Sequence, residues 1–257
     1  MININFDAEK HKEAIIKWIQ DWFKQNGSNC TAVIGISGGK DSTVAAALCV
    51  EALGKENVFG VLMPCDFQED IADSYAVVEF LGIDFMTVNI GLSVDSLLCS
   101  INCPRNGKGV KISDQTRINL PPRIRMATLY AISQSINGRV CCTDNLSESY
   151  IGYSTRWGDG VGDFAPLADL TSEEVVAIGD ALGLPQELTH KTPSDGLCGK
   201  TDEDSFGFSY DELNRYIRIG ECRNIENTKL IEQKHLRNLF KTQPIPKYLS
   251  RECRFKW

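Results

Sequence analysis

The sequence predicts an α/β fold, a Rossmann-like parallel sheet with helices on both faces. Two observations carry that reading. Apolar runs too short for helices, at 31–36, 58–63 and 85–90, alternate with longer amphipathic stretches. Such βαβ alternation needs right-handed crossovers and buries the sheet between two helical layers. The first run also delivers the chain to Ser37-Gly38-Gly39-Lys40-Asp41-Ser42, a glycine turn at the carboxyl end of a strand, where open α/β sheets bind their ligands.

Taken in order, Ile15, Ile16, Ile19, Trp22 and Phe23 share one helical face, and Asn26-Gly27 ends that helix, placed over 8–26. The strand TAVIGI follows, then a helix from about Ser42 to Leu53, an apolar run Val58 to Met63, and a helix around Glu69 to Leu81 with Ile71, Tyr75 and Val78 in phase. A run Phe85 to Ile90 closes this βαβαβ unit. The segment from Cys99 to Thr116, rich in Asn, Gly and Lys, reads as a loop. An amphipathic helix is expected from about Pro122 to Ile136, its start fixed by Pro121-Pro122, and a strand from Arg139 to Thr143. The irregular stretches Gly152 to Pro166 and Pro185 to Gly207 are lid candidates. Ser209-Tyr-Asp-Glu212 has the capping-box pattern of a helix start, and a last helix is placed over roughly Asn224 to Phe240.

With 257 residues and 42% hydrophobic content the chain can bury a full core and reads as one domain. Its net charge of −7 argues against an extended nucleic-acid footprint. The ten cysteines show neither a disulfide framework nor a zinc spacing: Cys99 and Cys103 are four apart, Cys141 and Cys142 adjacent, and C-x-x-C does not occur. The start MININFDAEK carries no signal peptide, and no apolar run approaches the ~18 residues of a membrane span. A cytoplasmic protein with reduced thiols is expected, Cys49 and Cys141 being core residues. Arg251, Arg254 and Lys256, with Phe255 and Trp257, form a small basic-aromatic tail that reads as a solvated terminus.

The glycine turn has the chemistry of a pyrophosphate cradle. Two glycines let backbone N–H groups approach an anion without Cβ obstruction at a helix start. Ser37 and Ser42 add hydroxyl donors and Lys40 a cation. Asp41 belongs beside phosphate only if a divalent cation sits between them, so the motif implies a nucleotide with Mg²⁺. Gly35-Ile36-Ser37-Gly38-Gly39 also matches the G-x-S-x-G elbow of α/β-hydrolases, but that elbow needs an acid and then a histidine downstream. Only His190 and His235 follow, neither in a recognisable context. The Walker pattern is absent. A second cluster, Thr143-Asp144-Asn145-Leu146-Ser147-Glu148, lies at the end of the strand RVCC, on the same sheet edge. Asp41 and Glu148 could share one Mg²⁺ from two strand ends, leaving its other positions to phosphate oxygens and water.

These residues carry a family resemblance. SGGKDS resembles the pyrophosphate loop of the N-type ATP pyrophosphatases. Arg123-Ile-Arg125-Met126 with Tyr130 is similar to an R-x-R-M-x-x-x-Y helix, Thr143-x-Asn145-x-x-Glu148 to a T-x-N-x-x-E turn, and Gly158-Asp159-Gly160-x-x-Asp163-x-x-Pro166-Leu167 to a G-D-G-x-x-D loop. With FGFSYDELN, from Phe206 to Asn214, these together resemble the NAD synthetases, collinearly over nearly the whole chain. The resemblance implies the adenine nucleotide alpha hydrolase-like version of the fold: an N-terminal helix 8–26, a nucleotide-binding core of about 30–185, and a C-terminal lid loop and helices over about 186–257.

It also implies a reaction. The nicotinate carboxylate of deamido-NAD⁺ attacks the α-phosphorus of ATP, expelling pyrophosphate, and ammonia displaces AMP from the mixed anhydride. The chain leaves no room for an amidase domain, so the ammonia-dependent form is implied, and a separate glutaminase is not indicated. Residue by residue, Gly35, Ile36, Ser37, Gly38, Gly39, Lys40, Asp41 and Ser42 would bind ATP, with Thr143, Ser172 and Ser194 beside it and Mg²⁺ on Asp41 and Glu148. Arg123, Arg156, Asp163, Phe240 and Lys241 would bind deamido-NAD⁺. Lys40, Asp41 and Asp159 are the expected catalytic residues, Asp159 facing ammonia, and a homodimer is implied, with the dinucleotide near the subunit interface. The chain departs from the family's common residues: Ser172 stands for a lysine, Ser194 for a threonine, Phe240 for a histidine, Arg156 for a lysine and Cys142 for a glycine. Two other readings of the same motifs are an ATP pyrophosphatase for a different small molecule and a non-catalytic ATP-binding module. The pairing of Asp41 with Glu148 weighs against the module.

Overall fold

The structure, a computed structural model, describes residues 6–190 and 202–248. Helix α1 (Ala8–Asn26) begins where Asp7 accepts a hydrogen bond from the Lys10 amide and ends at Gly27. Strand β1 (Thr31–Gly35) leads to α2 (Lys40–Leu53), then come β2 (Val58–Leu62), α3 (Ile71–Leu81), β3 (Asp84–Thr87), α4 (Gly91–Asn102), α5 (Asp114–Ser135) and β4 (Gly138–Val140). The remaining helices are α6 (Leu146–Ile151), α7 (Ser172–Ala181), α8 (Gln186–Thr189), α9 (Asp202–Phe206), α10 (Tyr210–Ile219) and α11 (Ile225–Asn238). The strands form one parallel sheet in the order β3-β2-β1-β4.

Strand β1 is central and shows why the sheet is covered on both faces. Ala32 and Ile34 point into a core built with Ile19 and Phe23 of α1, Val44 and Leu48 of α2, and Val175 and Ile178 of α7. Val33, of opposite parity, joins Val61, Met63, Ile90, Val94 and Leu120 under α4 and α5. A further cluster of Ile151, Phe206, Phe208, Tyr210, Leu213 and Ile231 binds α6, α9, α10 and α11 together beyond the sheet edge. Cys49 and Cys141 are buried as expected. Among the described residues no helix is long and apolar enough to cross a membrane.

Several boundaries differ from expectation. Helix α2 starts at Lys40, because Gly39 already occupies the extended N-cap conformation. Helix α3 starts at Ile71, and β3 runs over Asp84–Thr87 before the chain leaves the sheet. Helix α5 starts at Asp114, where Ser113 accepts from the Thr116 amide, and Pro121 and Pro122 lie inside it. Internal prolines cost about 3 kcal/mol or more, and here the burial of Leu120, Pro121 and Pro122 offsets that cost. The expected loop from Cys99 to Thr116 shrinks to 103–113, since α4 reaches Asn102. Strand β4 is short, extended only by a bridge from Cys141 to Phe164. The Ser209 capping box is half made: Ser209 caps Glu212, but the Glu212 carboxylate turns to the amides of Arg223 and Asn224. The complete box is Thr171 with Glu174 at α7. Helix α11 stops at Asn238, and a 3-10 turn follows over Leu239–Lys241. The Pro185 to Gly207 lid candidate contains α8 and α9, its remainder lying largely outside the described residues, as does the basic-aromatic tail.

Candidate functional site

The glycine turn stands where β1 ends in the middle of the sheet. Gly38 has φ +78°, and a Cβ there would lie 2.7 Å from the Asp73 Cβ and 2.9 Å from the Ser74 amide nitrogen. Glycine alone satisfies both the backbone and the space. The serines brace the turn: Ser37 and Ser42 hydroxyls lie 3.1 Å apart, Ser42 Oγ donates to the Gly39 carbonyl, and Ser37 Oγ accepts from the Gly39 amide. Gly35 and Ile36 bring the chain in, the Ile36 amide bonding the Val61 carbonyl.

At the first turn of α2, Asp41 is held from two sides. Lys40 Nζ donates to its Oδ2 at 2.7 Å, and Asn145 Nδ2 to its Oδ1 at 3.0 Å. Asn145 is fully buried, and its own Oδ1 accepts from the Glu148 amide at 3.1 Å, capping α6. One amide side chain therefore ties Asp41 to the turn that carries Glu148, so the structure brings together the two acids that the sequence placed on one edge. Burial and the charge of Asp41 push the Glu148 carboxyl well above the usual carboxylate range, against the pull of Lys40. Two neighbours went unnoticed in the sequence. The Lys40 ammonium lies 5.6 Å over the Tyr210 ring, and the Tyr210 hydroxyl donates to Asp202 at 3.0 Å. Tyr210 sits inside the FGFSYDELN segment, whereas Asp202 carries no spacing that would have flagged it.

A second acidic pair lies beyond Thr143. Burial, then Asp159 and Asp41, push the Asp144 carboxyl up to about 7. Desolvation by the surrounding loop also raises Asp159, although the residue is exposed at the surface and its carboxylate accepts from the Thr155 amide at 2.7 Å. Cys142 is buried, and burial next to Asp144 raises its thiol to about 12. A Cβ on Gly162 would meet the Cys142 backbone nitrogen at 2.4 Å, so that close approach needs a glycine there.

The remaining expected residues gather around the 152–163 loop. Lys241 Nζ donates to the carbonyls of Gly152 at 2.7 Å and Ser154 at 3.1 Å. The Arg156 guanidinium lies 5.0 Å from the Trp157 ring and 5.3 Å from the Phe240 ring, and Arg123 Nε donates to the Arg156 carbonyl. Trp157, at φ +62°, was missed in the sequence. Asp163 accepts from the Val140 amide at 2.8 Å and from the Tyr130 hydroxyl at 3.3 Å, fastening the loop to the sheet. Ser172 is buried at the start of α7, its amide bonded to Ser147 Oγ; that bond joins α7 to α6 rather than to the glycine turn. Ser194 lies outside the described residues.

The donor set fits Mg²⁺. Asp41 and Glu148 offer hard carboxylate oxygens from two elements, the donors such an ion would take together with phosphate oxygens and water. Among the described residues no cluster of three or more His, Cys, Asp or Glu side chains could hold a metal ion.

Comparison with known proteins identifies the family. The family model described as NAD synthase matches residues 11–250. An NH(3)-dependent NAD(+) synthetase of Pyrococcus horikoshii is 40% identical over 208 residues, covering 80% of this chain and 77% of the relative. Among solved structures, the NMN synthetase from Francisella tularensis superposes with a TM-score of 0.86 at 31% identity, covering 95% of this chain and 99% of that one. The NH3-dependent NAD synthetase from Campylobacter jejuni, in complex with the nitrate ion, gives 0.76 at 26% identity, with coverages of 95% and 100%. With a cradle at the end of β1, two acids joined through Asn145 and a match over almost its full length, the chain belongs to the NAD synthase family.

Proposed function

We propose that this protein is an ammonia-dependent NAD⁺ synthetase, amidating deamido-NAD⁺ at the expense of ATP with release of AMP and pyrophosphate. The observation that carries the reading is the pairing of Asp41 and Glu148 through the buried Asn145, next to the glycine turn. A carboxylate resists amines until one oxygen becomes a good leaving group, so the protein's task is to align two anionic ligands and to neutralise the charge that develops between them.

In this reading the backbone from Gly35 to Ser42 wraps the ATP phosphates, with Ser37 the exposed hydroxyl of the turn and Ser42 its brace. Thr143 borders the nucleotide. Asp41 and Glu148 would hold Mg²⁺, which would supply positive charge against the phosphates. Arg123, Arg156 and Lys241 supply positive charge to the dinucleotide phosphates along the 152–163 loop, while Phe240 and Trp157 fix the plane of the Arg156 guanidinium. Asp163 holds that loop to β4. Asp159 faces the incoming ammonia, and Asp144 beside it, raised to about 7, holds or releases a proton near neutral pH. Ser172 and Ser194 remain on the ATP side by resemblance alone. The reading carries with it a single-domain cytoplasmic enzyme, working as a homodimer on free ammonia.

The test is an end-point assay with ATP, Mg²⁺ and deamido-NAD⁺, with ammonium or glutamine as nitrogen source. Equal yields of NAD⁺ and AMP from ammonium, with little from glutamine, are expected; absence of AMP with either would refute the reading. A second reading is favoured by one observation, the higher TM-score with the Francisella tularensis NMN synthetase: the acceptor is the mononucleotide of nicotinate rather than the dinucleotide. Running the same assay with nicotinate mononucleotide in parallel decides between them by the ratio of kcat/KM.

A further inference from the structure

Lys40 occupies an unusual place for a residue expected to reach phosphate. It is 6% exposed, and its ammonium is already committed, 2.7 Å from Asp41 Oδ2 and 5.6 Å over the Tyr210 ring. Lysine is almost never this buried unless paired. The other Asp41 oxygen is taken by Asn145, so in this structure both oxygens of the acid offered to the metal already accept hydrogen bonds. Glu148 stands on the turn that Asn145 ties to Asp41, and Asp202 accepts from the hydroxyl of the same Tyr210 ring, so one cation stands near three carboxyl groups.

We propose that Lys40 is a tethered counter-cation that keeps a free divalent ion out of the place between Asp41 and Glu148, so that the metal enters only together with ATP. The inference rests on the ATP and Mg²⁺ reading of the cradle. Two half-buried acids on neighbouring turns repel one another without compensating charge, and an ammonium on the adjacent residue provides that charge without a binding event. A divalent ion arriving alone must displace that ammonium from Asp41 and break their 2.7 Å charge-assisted hydrogen bond. Arrival with ATP changes the balance, because the phosphates bring several negative charges to the N-terminus of α2 and give the Lys40 side chain, which starts from that same turn, a new partner. The one lysine then serves twice, as the occupant of the metal's place before ATP binds and as a phosphate ligand after. If it were a phosphate ligand only, its removal would leave the affinity for free metal unchanged.

The experiment is a titration of the full chain with Mn²⁺, an electron-paramagnetic stand-in for Mg²⁺, reading the free-ion signal with and without ATP. Without nucleotide the wild-type chain should leave Mn²⁺ free, Lys40→Met should bind it at least about tenfold more tightly, and Lys40→Arg should behave as wild type. Removing the acid as well, in a Lys40→Met, Asp41→Asn double variant, should abolish the gain. Tight uptake of Mn²⁺ by the wild-type chain without ATP overturns the proposal, and needs no variant to fold. Equal affinities of Lys40→Met and wild type, uptake by Lys40→Arg equal to that by Lys40→Met, or a gain that survives the loss of Asp41, overturn it as well. Failure of the wild-type chain to take up Mn²⁺ even with ATP is a different result, which removes the metal reading of the site itself.

Discussion

The two halves of the candidate site are built in opposite ways. The cradle half is largely local: Gly38, Lys40, Asp41 and Ser42 lie within one turn, and Asn145 and Tyr210 reach it from afar. The loop half is distant and open. Its cations come from residues 123, 156 and 241, and in this structure they bond to backbone carbonyls or lie over aromatic rings. The difference teaches where precision is needed. Charge that develops at phosphorus requires groups fixed before the ligand arrives, whereas a long substrate can be gripped by side chains that exchange one partner for another.

The largest expected effect breaks the cradle chemically while sparing its shape. Asp41→Asn keeps the hydrogen-bonding size of the side chain but removes the charge shared with Glu148, and AMP formation should fall about a thousandfold or more in kcat. A loss smaller than about tenfold would place the metal elsewhere. Next comes a change of shape without charge. Gly38→Ala meets the Asp73 Cβ at 2.7 Å with φ at +78°, and should cost about 2–3 kcal/mol of unfolding free energy in a denaturant titration. A neutral result would mean that the turn can relax.

This contrast also explains what the sequence could and could not show. The cradle was legible because its geometry follows from adjacent residues: glycines that permit a positive φ, a strand before them and a helix after. Glu148 was legible because a parallel sheet places its strand ends on one edge. Pro121 and Pro122 misled, since a proline pair looks like a helix start, and only the long-range burial of Leu120 and its neighbours shows that the helix passes through them. Asp202 beside Tyr210 and the stacking of Arg156 between Trp157 and Phe240 depend on how α9 and the segment after α11 return to the sheet edge, and no spacing in the chain encodes that return. The Glu212 carboxylate, which leaves its expected capping box for the amides of Arg223 and Asn224, is the same lesson at one side chain.

The loop half offers a smaller effect. Lys241→Met removes the donor that spans the Gly152 and Ser154 carbonyls. The expected outcome is a tenfold to hundredfold loss, roughly 1.4–2.7 kcal/mol, in kcat/KM for the dinucleotide, with the KM for ATP nearly unmoved. Equal damage to both substrates would show that the two halves are coupled, and would undo the comparison drawn between them.

The smallest effect concerns the seam between the halves, where Asp144 lies between Asp41 and Asp159. Its folded pKa of about 7 is raised from an ordinary 3.8 by burial first and then by the two neighbouring carboxylates. Between those values the native state holds a proton that the unfolded chain has released, so stability falls as pH rises through this window. The contribution is complete below the unfolded pKa and is lost once the pH passes the folded one. Asp144→Asn keeps the shape and never ionises. It should therefore unfold with a free energy at least about 1 kcal/mol higher than wild type at pH 8, and should lose that advantage fully only at a pH below 3.8, where the unfolded acid is protonated as well. The same gain at both pH values would assign the effect to packing, and would remove the acid pair as the point where the local cradle and the open loop meet electrostatically.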